Sequence, residues 1–271
     1  MKVIEQRGVT YLAYDKFLDI PEVVHGFSTR LGGVSEGIYS GMNLSFSRGD
    51  EETAVMENYR RMAEAVGFDL EGVVASHQTH TDHIRLVTEE DRGAGILKER
   101  TYQDIDGLIT NRKGITLVTY YADCVPLFFV DPVNHAIGLA HSGWRGTVQK
   151  IGKKTVQKMQ EEFGTDPKSL QVAIGPSICQ ECYEVSEDVI EEFRNVFEEF
   201  LWEKLWYAKP NGKYQLNLWE ANRQIFLEGG VLESHISLPG LCTCCNPEFL
   251  FSHRASHGKR GNLGAFLGLR P

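Results

Sequence analysis

Five short runs of β-branched and aromatic residues constrain the fold of this chain more than any other feature of its sequence. Runs of this composition are typical of β-strands. Asp131, Pro132 and Asn134 give a turn signal between the third run and the fourth, so these two strands are predicted to form an antiparallel hairpin within a mixed sheet. The runs are GVVASH at 72–77, GITLVTYY at 114–121, VPLFFVD at 125–131, AIGLAH at 136–141 and LQVAIGP at 170–176.

Four further stretches carry the apolar period of amphipathic helices. In the first, Asp50 is predicted to cap the first turn, and Gly67 suits the left-handed position after the last turn. In the third, Ser186 is the predicted N-cap, and the two acidic residues after it lie where the helix dipole favours them. The helices are predicted over 50–67, 147–164, 186–201 and 217–230.

The sequence predicts a single domain. Of its 271 residues, 42% are hydrophobic and 24% are charged, which is typical of an ordinary globular protein. The chain contains no Pro/Ser-rich linker, charge block or repeat. We therefore expect one α/β (α+β) domain over residues 1–271, with layered mixed β-sheets flanked by helices.

Charge and hydropathy argue against several classes of function. The formal net charge of −9 disfavours a nucleic-acid-binding surface, because phosphate backbones are held by clustered Lys and Arg. No stretch approaches the roughly 18 consecutive apolar residues that span a bilayer, and the N-terminal segment does not resemble a secretion signal. We expect a cytoplasmic protein with small molecules as its partners and no nucleic-acid or membrane partner.

In each of three segments, an apolar strand is followed by polar residues that can act as metal ligands or catalytic groups. They bring His80, Cys124 and His141 to strand ends, where side chains distant in sequence converge. Two imidazoles and a thiolate suit zinc, and three protein ligands leave a position open for water or substrate. The sequence therefore predicts a catalytic metal centre, with Zn²⁺ as the expected cofactor and copper as the less favoured metal.

The residues alone leave alternatives open at this site. His77 and His83 are alternative ligands to His80, and their spacing does not exclude them. Each candidate ligand also has a purely structural interpretation, as a buried thiol or a hydrogen-bonded imidazole. Two other hypotheses are a metal-free thiol enzyme with Cys124 as nucleophile and a binding protein with a structural metal. Asp123 is a candidate catalytic proton carrier, or it orients its neighbours.

Two segments carry candidates for holding an anion or a polar substrate. The GWRG segment leads into a predicted helix, so Arg145 lies where backbone N–H groups, the helix dipole and a guanidinium favour phosphate. An ion pair with a surface acid is the structural alternative for this arginine. The glycine-rich strip before the first predicted helix carries Asn43 and Arg48, and these two residues and Gln78 are further candidates for binding substrate or phosphate.

The remaining cysteines resemble two halves of a structural zinc site. Cys179 and Cys182 have CxxC spacing, and Cys242 and Cys245 supply a second pair. The segment between the pairs is far longer than in a compact zinc knuckle, so thiols that line a pocket or pack in the core are the default interpretation. The sequence leaves open whether this set binds a second metal.

The motifs of this chain occur in the order found in one protein family. They are HGFSTRLGGVSEG, SHQTH, YADCVP, AHSGWRG, GPSICQECYEV, LWEANR and CTCCNPEFLFSHR. The sequence resembles the YfiH-like family, also called the laccase-domain or multicopper polyphenol oxidase family. This resemblance implies an α/β domain and selects His80, Cys124 and His141 as zinc ligands. Thr81 stands where the family commonly has Gly, and its side chain is expected to narrow the pocket.

The resemblance also implies a purine nucleoside enzyme. Similar members phosphorolyse adenosine, inosine and S-methyl-5′-thioadenosine to the free base and a sugar 1-phosphate, and they deaminate adenosine. We therefore expect purine nucleosides and phosphate as substrates, with Arg48 or Arg145 stabilising the charge that develops during phosphate attack. The older family label, a copper-dependent laccase, is the alternative.

Overall fold

A computed structural model describes all residues from 1 to 271 and contains 15 β-strands and seven α-helices. In chain order the strands are β1 (Lys2–Gln6), β2 (Val9–Ala13), β3 (Val23–Ser28), β4 (Val73–Ala75), β5 (Ile84–Leu86), β6 (Gly107–Thr110), β7 (Thr116–Tyr121), β8 (Val125–Asp131), β9 (Ala136–Ser142), β10 (Gln171–Ile174), β11 (Glu184–Val185), β12 (Trp206–Ala208), β13 (Tyr214–Leu216), β14 (Ile236–Ser237) and β15 (Leu263–Leu269). The helices are α1 (Asp15–Leu18), α2 (Glu52–Val66), α3 (Trp144–Val148), α4 (Ile151–Phe163), α5 (Glu187–Arg194), α6 (Trp202–Leu205) and α7 (Leu218–Glu228).

The strands form two six-stranded sheets and one three-stranded sheet. The first sheet has the order β1-β2-β3-β15-β7-β4, the second β14-β10-β8-β9-β6-β5 and the third β11-β13-β12. Both large sheets are mixed, because β4 pairs parallel to β7, and β5 and β14 pair parallel to β6 and β10. The predicted α/β domain with layered mixed sheets and outer helices is confirmed.

The two large sheets pack face to face between layers of helix. Alternate residues of one strand point to opposite faces, so Leu117 packs between the sheets while Val118 packs towards α2. In the second sheet, Phe128 faces the first sheet and Phe129 faces the helical layer of α4, α5 and α7. Burial on both faces explains why these strands are continuously apolar in the sequence.

All five predicted strand runs contain strands, and the predicted hairpin is confirmed. Strands β8 and β9 pair antiparallel, with Val125 opposite Ser142 and Asp131 opposite Ala136. The Asp131 carboxylate accepts backbone N–H bonds from Val133 and Asn134, which closes the turn as its composition predicts. This hairpin forms the centre of the second sheet.

The helix predictions were confirmed in part. The first predicted helix ends at Gly67 in the left-handed conformation, as expected. Its N-cap is Glu51, however, and the carboxylate of Asp50 instead accepts bonds from the Glu51 N–H and from Asn43. The fourth helix begins after Asn217, whose side chain accepts the N–H of Glu220.

The predicted boundaries of the other two helices were wrong. The helix expected over 147–164 is divided into α3 and α4, because Lys150 has a left-handed φ of 57° that interrupts the helix. The helix expected over 186–201 starts after Ser186 but ends at Arg194. The chain then turns, so that Phe197 and Leu201 pack in the core while Phe200 is exposed.

None of the helices combines the length and the apolar character that crossing a bilayer requires.

A buried histidine on β3 gives the fold a measurable pH dependence. Burial lowers the pKa of His25 to about 4, and its Nε2 accepts the N–H of Tyr14 at 2.8 Å. The unfolded chain takes up a proton near pH 6.5, whereas the folded chain does so only near pH 4. Acidification over this window should therefore reduce the free energy of unfolding, by up to about 3 kcal/mol.

Urea unfolding of the wild type and of His25→Gln between pH 7 and pH 4 measures this contribution. The glutamine keeps an acceptor for the Tyr14 N–H but does not titrate, so the variant should show a shallower loss of stability on acidification. His135→Gln, which changes an exposed histidine, is the matched control and should behave as the wild type. Equal slopes for all three proteins would contradict the assignment.

Candidate metal centre

The structure brings His80, Cys124 and His141 together at the seam between the two large sheets. Their ligand atoms all lie within 4.8 Å of one another, and Cys124 Sγ is 4.0 Å from His80 Nε2. His141 is buried, Cys124 is half-buried and His80 is exposed, so one side of the group opens to solvent. The group has the composition of a three-ligand metal site with room for a further ligand.

Two of these residues lie on connections that cross from the first sheet to the second. Cys124 follows β7 and precedes β8, and the turn that carries it contains Asp123 with a φ of 94°. His80 lies between β4 and β5 and has a φ of 66°. A positive φ is costly for residues other than glycine, so both turns are stabilised by tertiary contacts. His141 lies on β9 itself.

Asp106 holds the His80 and His141 segments in register. Its fully buried carboxylate accepts the backbone N–H groups of Thr79, His80 and Thr81, and its Oδ1 lies 2.7 Å from His141 Nδ1. Because a carboxylate only accepts, the proton sits on His141 Nδ1 and leaves Nε2 free for a metal. In zinc proteins, a carboxylate commonly holds the second ring nitrogen of a metal-binding histidine in this way.

The same contacts shift the protonation of the group in the absence of metal. Burial opposes ionisation of Cys124, but the neighbouring His141 and His80 imidazoles outweigh it and lower the pKa of the thiol to about 6. Burial also opposes charging of His141, yet the Cys124 thiolate and Asp106 raise its pKa to about 9. The metal-free site is therefore a thiolate beside an imidazolium, and the thiolate is the form that binds metals.

Gly143 allows the backbone to pass close behind the ligand atoms. A Cβ at this position would lie 3.1 Å from both Cys124 Sγ and His80 Cδ2. Contacts this short would require the two side chains to shift by a few tenths of an ångström. The absence of a Cβ at Gly143 therefore leaves room for the ligand side chains in their present positions.

A cavity of about 380 Å³ opens beside the ligand group. His80, Cys124 and His141 form part of its wall, together with the aromatic side chains of Phe46 and Tyr120. The wall contains three arginines and no Asp or Glu. These arginines are Arg48, Arg100 and Arg260. In a chain with a net charge of −9, this is a locally cationic cavity of the size of a small-molecule site.

Arg48 and Arg260 face the cavity as a pair of cations without a carboxylate partner. Arg48 donates to the Gly258 carbonyl, and Arg260 donates to Gly261 and Asn262 oxygens. Burial and the Arg48 charge lower the pKa of Arg260 to about 10, so it remains charged at neutral pH. The Nε of Arg260 is buried and has no hydrogen-bond partner. An anion in the cavity would satisfy both the charge and this donor.

Two other predicted substrate residues support the cavity in different ways. Gln78 lies in the wall, but its amide accepts the N–H of Tyr120 and donates to the carbonyl of the same residue. Asn43 is fully buried and is not a wall residue; its side chain bonds to Asp50 and to the N–H of Asn262. Both amides fix the backbone of residues that line the cavity.

Asp123 and Arg145 lie outside the wall of the cavity. Both carboxylate oxygens of Asp123 are occupied, one by the Thr243 hydroxyl at 2.7 Å and the other by the Arg254 N–H at 2.7 Å. Arg145 is exposed, and its guanidinium stacks on the Trp144 ring at 4.3 Å. Arg48 and Gln78 thus line the same cavity as the ligand group, whereas Asp123 and Arg145 do not.

The neighbouring residues of His80 take other roles. His77 lines the cavity, and its Nδ1 accepts the N–H of Asp104, whereas His83 Nδ1 lies 3.0 Å from the Asp104 carbonyl. Neither histidine belongs to the ligand group. The expectation that Thr81 narrows the pocket was wrong, because its hydroxyl bonds to Asp106 and the residue is not part of the cavity wall.

Sequence reasoning missed Asp106 and Arg260. Asp106 precedes the apolar strand β6, and Arg260 lies two residues before Asn262, which leads into β15. Neither β6 nor β15 is among the five predicted strand runs, so polar residues at the ends of those runs do not include Asp106 or Arg260. No signal in the sequence indicates that Asp106 contacts His141.

Comparison with known proteins identifies the family. Residues 24–270 match the family described as multi-copper polyphenol oxidoreductase laccase. Purine nucleoside phosphorylase YlmD of Bacillus subtilis is 38% identical over 250 residues, which cover 92% of this chain and 89% of that protein. Adenosine deaminase RL5, from an unknown prokaryotic organism, is 34% identical over 236 residues, covering 86% of this chain and 89% of that protein.

The fold comparison agrees with the sequence comparison. The crystal structure of YlmD from Geobacillus stearothermophilus superposes with a TM-score of 0.91 at 38% identity, covering 99% of this chain and 98% of that chain. The chain therefore belongs to the family described as multi-copper polyphenol oxidoreductase laccase, and it is an enzyme. The family description names an oxidoreductase, whereas these relatives are named as a phosphorylase and a deaminase. The residues of the site are therefore needed to distinguish between these reactions.

The role of Asp106 can be tested through metal affinity. In Asp106→Asn, an NH2 group replaces one of the two carboxylate oxygens. Either the N–H groups of Thr79 and Thr81 or those of His80 and the His141 ring then lose their acceptor. We expect zinc affinity to fall by about 10- to 100-fold, the usual effect of removing such a partner. Competition with a chelator of known affinity measures the change.

Asp104→Asn is the matched control for this experiment. Asp104 is an exposed neighbour whose carboxylate accepts the Thr79 hydroxyl but does not contact His141. Its substitution should leave zinc affinity within about twofold of the wild type, in line with the small effect of an exposed contact. Equal affinities for the Asp106 variant and the wild type would remove Asp106 from the site.

Proposed function

We propose that this chain is a zinc-dependent purine nucleoside phosphorylase that also deaminates adenosine. Its substrates are adenosine, inosine and S-methyl-5′-thioadenosine, which it converts with phosphate to the free base and ribose 1-phosphate or methylthioribose 1-phosphate. Residues 1–271 act as one catalytic domain. A thiolate ligand favours a reducing compartment, so we assign the enzyme to the cytoplasm.

The cationic cavity beside the ligand group is the observation that carries this proposal. A phosphorolytic enzyme needs an anion site next to its reaction centre, and the wall supplies Arg48, Arg100 and Arg260 without any carboxylate. The names of the relatives, purine nucleoside phosphorylase and adenosine deaminase, support the same substrate class. A phenol oxidase has no need for three arginines around its substrate.

The donor set fits zinc. His80 and His141 offer imidazole nitrogens, Cys124 offers a thiolate, and Asp106 fixes the His141 ring so that Nε2 is free. Zinc held by these residues would supply Lewis acidity to an oxygen or nitrogen of the substrate. Copper is the alternative metal, since two imidazoles and a thiolate also bind copper. The chain offers one such mixed group, whereas multicopper chemistry requires several ligand sets rich in histidine.

The arginine pair would bind and orient phosphate for attack on the anomeric carbon. Phosphate held between Arg48 and Arg260 gains charge-assisted hydrogen bonds, and the buried Nε of Arg260 gains a partner. Fixing the nucleophile in the cavity replaces a bimolecular encounter with an oriented reaction. The same positive charges stabilise the negative charge that the reacting groups share in the transition state.

Residues around the cavity would orient the nucleoside. The rings of Phe46 and Tyr120 offer surfaces for stacking a purine, and Phe46 is braced by a parallel stack on Tyr59 at 5.7 Å. Gln78 fixes the backbone of Tyr120 through two hydrogen bonds. Asp123, whose carboxylate is fully bonded, acts as a positioning residue for the turn that presents Cys124.

A thiol enzyme is the second candidate, and the ionised state of the metal-free site favours it. The Cys124 pKa of about 6 makes this thiol a thiolate at neutral pH, next to an imidazolium at His141. Such a pair could attack a carbonyl without metal. Activity that resists chelation and disappears on alkylation of Cys124 would identify this alternative.

Chromatography of adenosine incubated with metal-quantified enzyme tests the proposed function directly. With phosphate, zinc-loaded protein should form adenine and ribose 1-phosphate, and without phosphate it should form inosine. Cys124→Ala should lose the zinc ion of the His80, Cys124 and His141 group together with both activities, because it removes the thiolate ligand.

The control for this experiment is Cys244→Ala, which removes a thiol outside the ligand group. It should keep the wild-type rate. If zinc-loaded wild type forms neither product, the nucleoside assignment fails. Full turnover by the Cys124→Ala protein would show that the ligand group is not the reaction centre, and activity with copper but not zinc would reverse the metal assignment.

Substitution of the arginines tests the anion site. Arg48→Gln and Arg260→Gln should each raise the KM for phosphate about tenfold or more, because a charge-assisted hydrogen bond contributes about 1.5–3 kcal/mol. Phosphate-independent deamination of adenosine should change much less. Steady-state kinetics at varied phosphate measure both effects.

Arg145→Gln separates the two arginine assignments made from the sequence. Its guanidinium lies outside the cavity wall, so the phosphate KM should stay at the wild-type value. A raised KM in this variant, with unchanged values for the Arg48 and Arg260 variants, would move the anion site to the start of α3.

A further inference from the structure

Four cysteines gather at a second position, away from the His80, Cys124 and His141 group. Cys179 and Cys182 flank a short 3₁₀ turn after β10, and Cys242 and Cys245 lie on the segment between β14 and β15. Their Sγ atoms all lie within 4.8 Å of one another, although about 60 residues separate the two pairs. The sequence alone leaves the role of this set open.

The sulfur spacing is that of a single tetrahedral ion. With Zn–S bonds of about 2.3 Å, the sulfurs of a tetrahedral site are about 3.8 Å apart. Here Cys179 Sγ is 3.9 Å from Cys245 Sγ, and Cys182 Sγ is 3.4 Å from Cys245 Sγ. No pair is at disulfide distance, and all six cysteines of the chain are free. The set therefore has four donors around one centre.

The backbone around the cluster is arranged to stabilise a thiolate. The N–H of Cys179 donates to Cys242 Sγ at 3.2 Å, and the N–H of Cys245 donates to the same sulfur at 3.4 Å. A bridge between Ser177 and Cys242, with the N–H of Thr243 donating to the Ser177 carbonyl, aligns the two segments. A sulfur that accepts two N–H bonds is better suited to metal binding than to packing as a neutral thiol.

We propose that Cys179, Cys182, Cys242 and Cys245 form a structural zinc site with four thiolate ligands. Binding displaces the thiol protons and leaves no open position, so this ion has no catalytic role. Cys244 lies on the same segment but outside the set of four. The chain would then carry two zinc ions of different kinds, one open and one closed.

The site joins two loops that hold the turn before Cys124. The N–H of Ile178 donates to the Asp123 carbonyl at 2.9 Å, and the Thr243 hydroxyl donates to the Asp123 carboxylate at 2.7 Å. The backbone N–H of Arg254 donates to the other carboxylate oxygen of Asp123, and the guanidinium of Arg254 donates to the Cys182 carbonyl. An ion that clamps these loops together therefore maintains the geometry of Asp123 and, through it, of Cys124.

Zinc counting by mass spectrometry on reduced, purified protein tests the site. The wild type should contain two zinc ions per chain, and Cys182→Ser, Cys124→Ala and the double variant should contain one, one and none. Cys244→Ser is the matched control and should keep two. After cobalt replaces zinc in the Cys124→Ala protein, strong thiolate-to-metal absorption should appear, as expected for four sulfur ligands.

The Cys124→Ala protein keeps the test valid if Cys182→Ser fails to fold, because all four cysteines of the second site remain in it. A Cys124→Ala protein without zinc or cobalt absorption would overturn the proposal. So would a Cys182→Ser protein that retains the full wild-type metal content, or disulfides among the four cysteines in protein purified under reducing conditions. A wild type with one zinc that only Cys182→Ser removes would support this site and contradict the zinc at Cys124.

Discussion

The hydrogen bond between Asp106 and His141 joins strand β9 to the loop that carries His80, and the geometry of the site depends on this connection. A carboxylate with no exposure to water is stable only when its oxygens are satisfied, and Asp106 achieves this with three consecutive backbone N–H groups and one imidazole. The loop of His80 is thereby tied to the strand of His141. Loss of this carboxylate would release two of the three candidate ligands at once, although Asp106 binds no metal itself.

The positive charge of the arginines in the cavity wall is opposite in sign to the net charge of the chain. The protein is acidic, yet its cavity wall contains three arginines and no Asp or Glu. Burial and the positive charge of Arg48 lower the pKa of Arg260, and each guanidinium is held in place by donating to a backbone carbonyl. Groups held in an unfavourable arrangement are expected where a ligand of opposite charge completes the structure.

Local patterns in the sequence predicted the strands and the segments that carry the candidate ligands, but not the contacts between distant segments. The choice of His80 over His77 and His83 came from the family resemblance. The β8–β9 hairpin follows from its turn residues, and the helix ending at Gly67 follows from glycine geometry. The break at Lys150 follows from no local signal, since lysine rarely adopts a left-handed φ and only tertiary packing stabilises it here. Likewise, nothing near Asp106 in sequence indicates that its partner lies 35 residues away on β9. The choice of Arg48 over Arg145 required knowledge of which side chain reaches the cavity.

The position of His80 and Cys124 on the two crossings between the sheets has a consequence for folding. Each ligand arrives on a connection whose ends belong to different sheets, so the ligand group exists only after the sheets have docked. A partly folded chain with one sheet formed would have no such site. Any opening of the sheet interface would separate the candidate ligands before the sheets themselves unfold, so a metal ion held by them would be a sensitive indicator of partial unfolding.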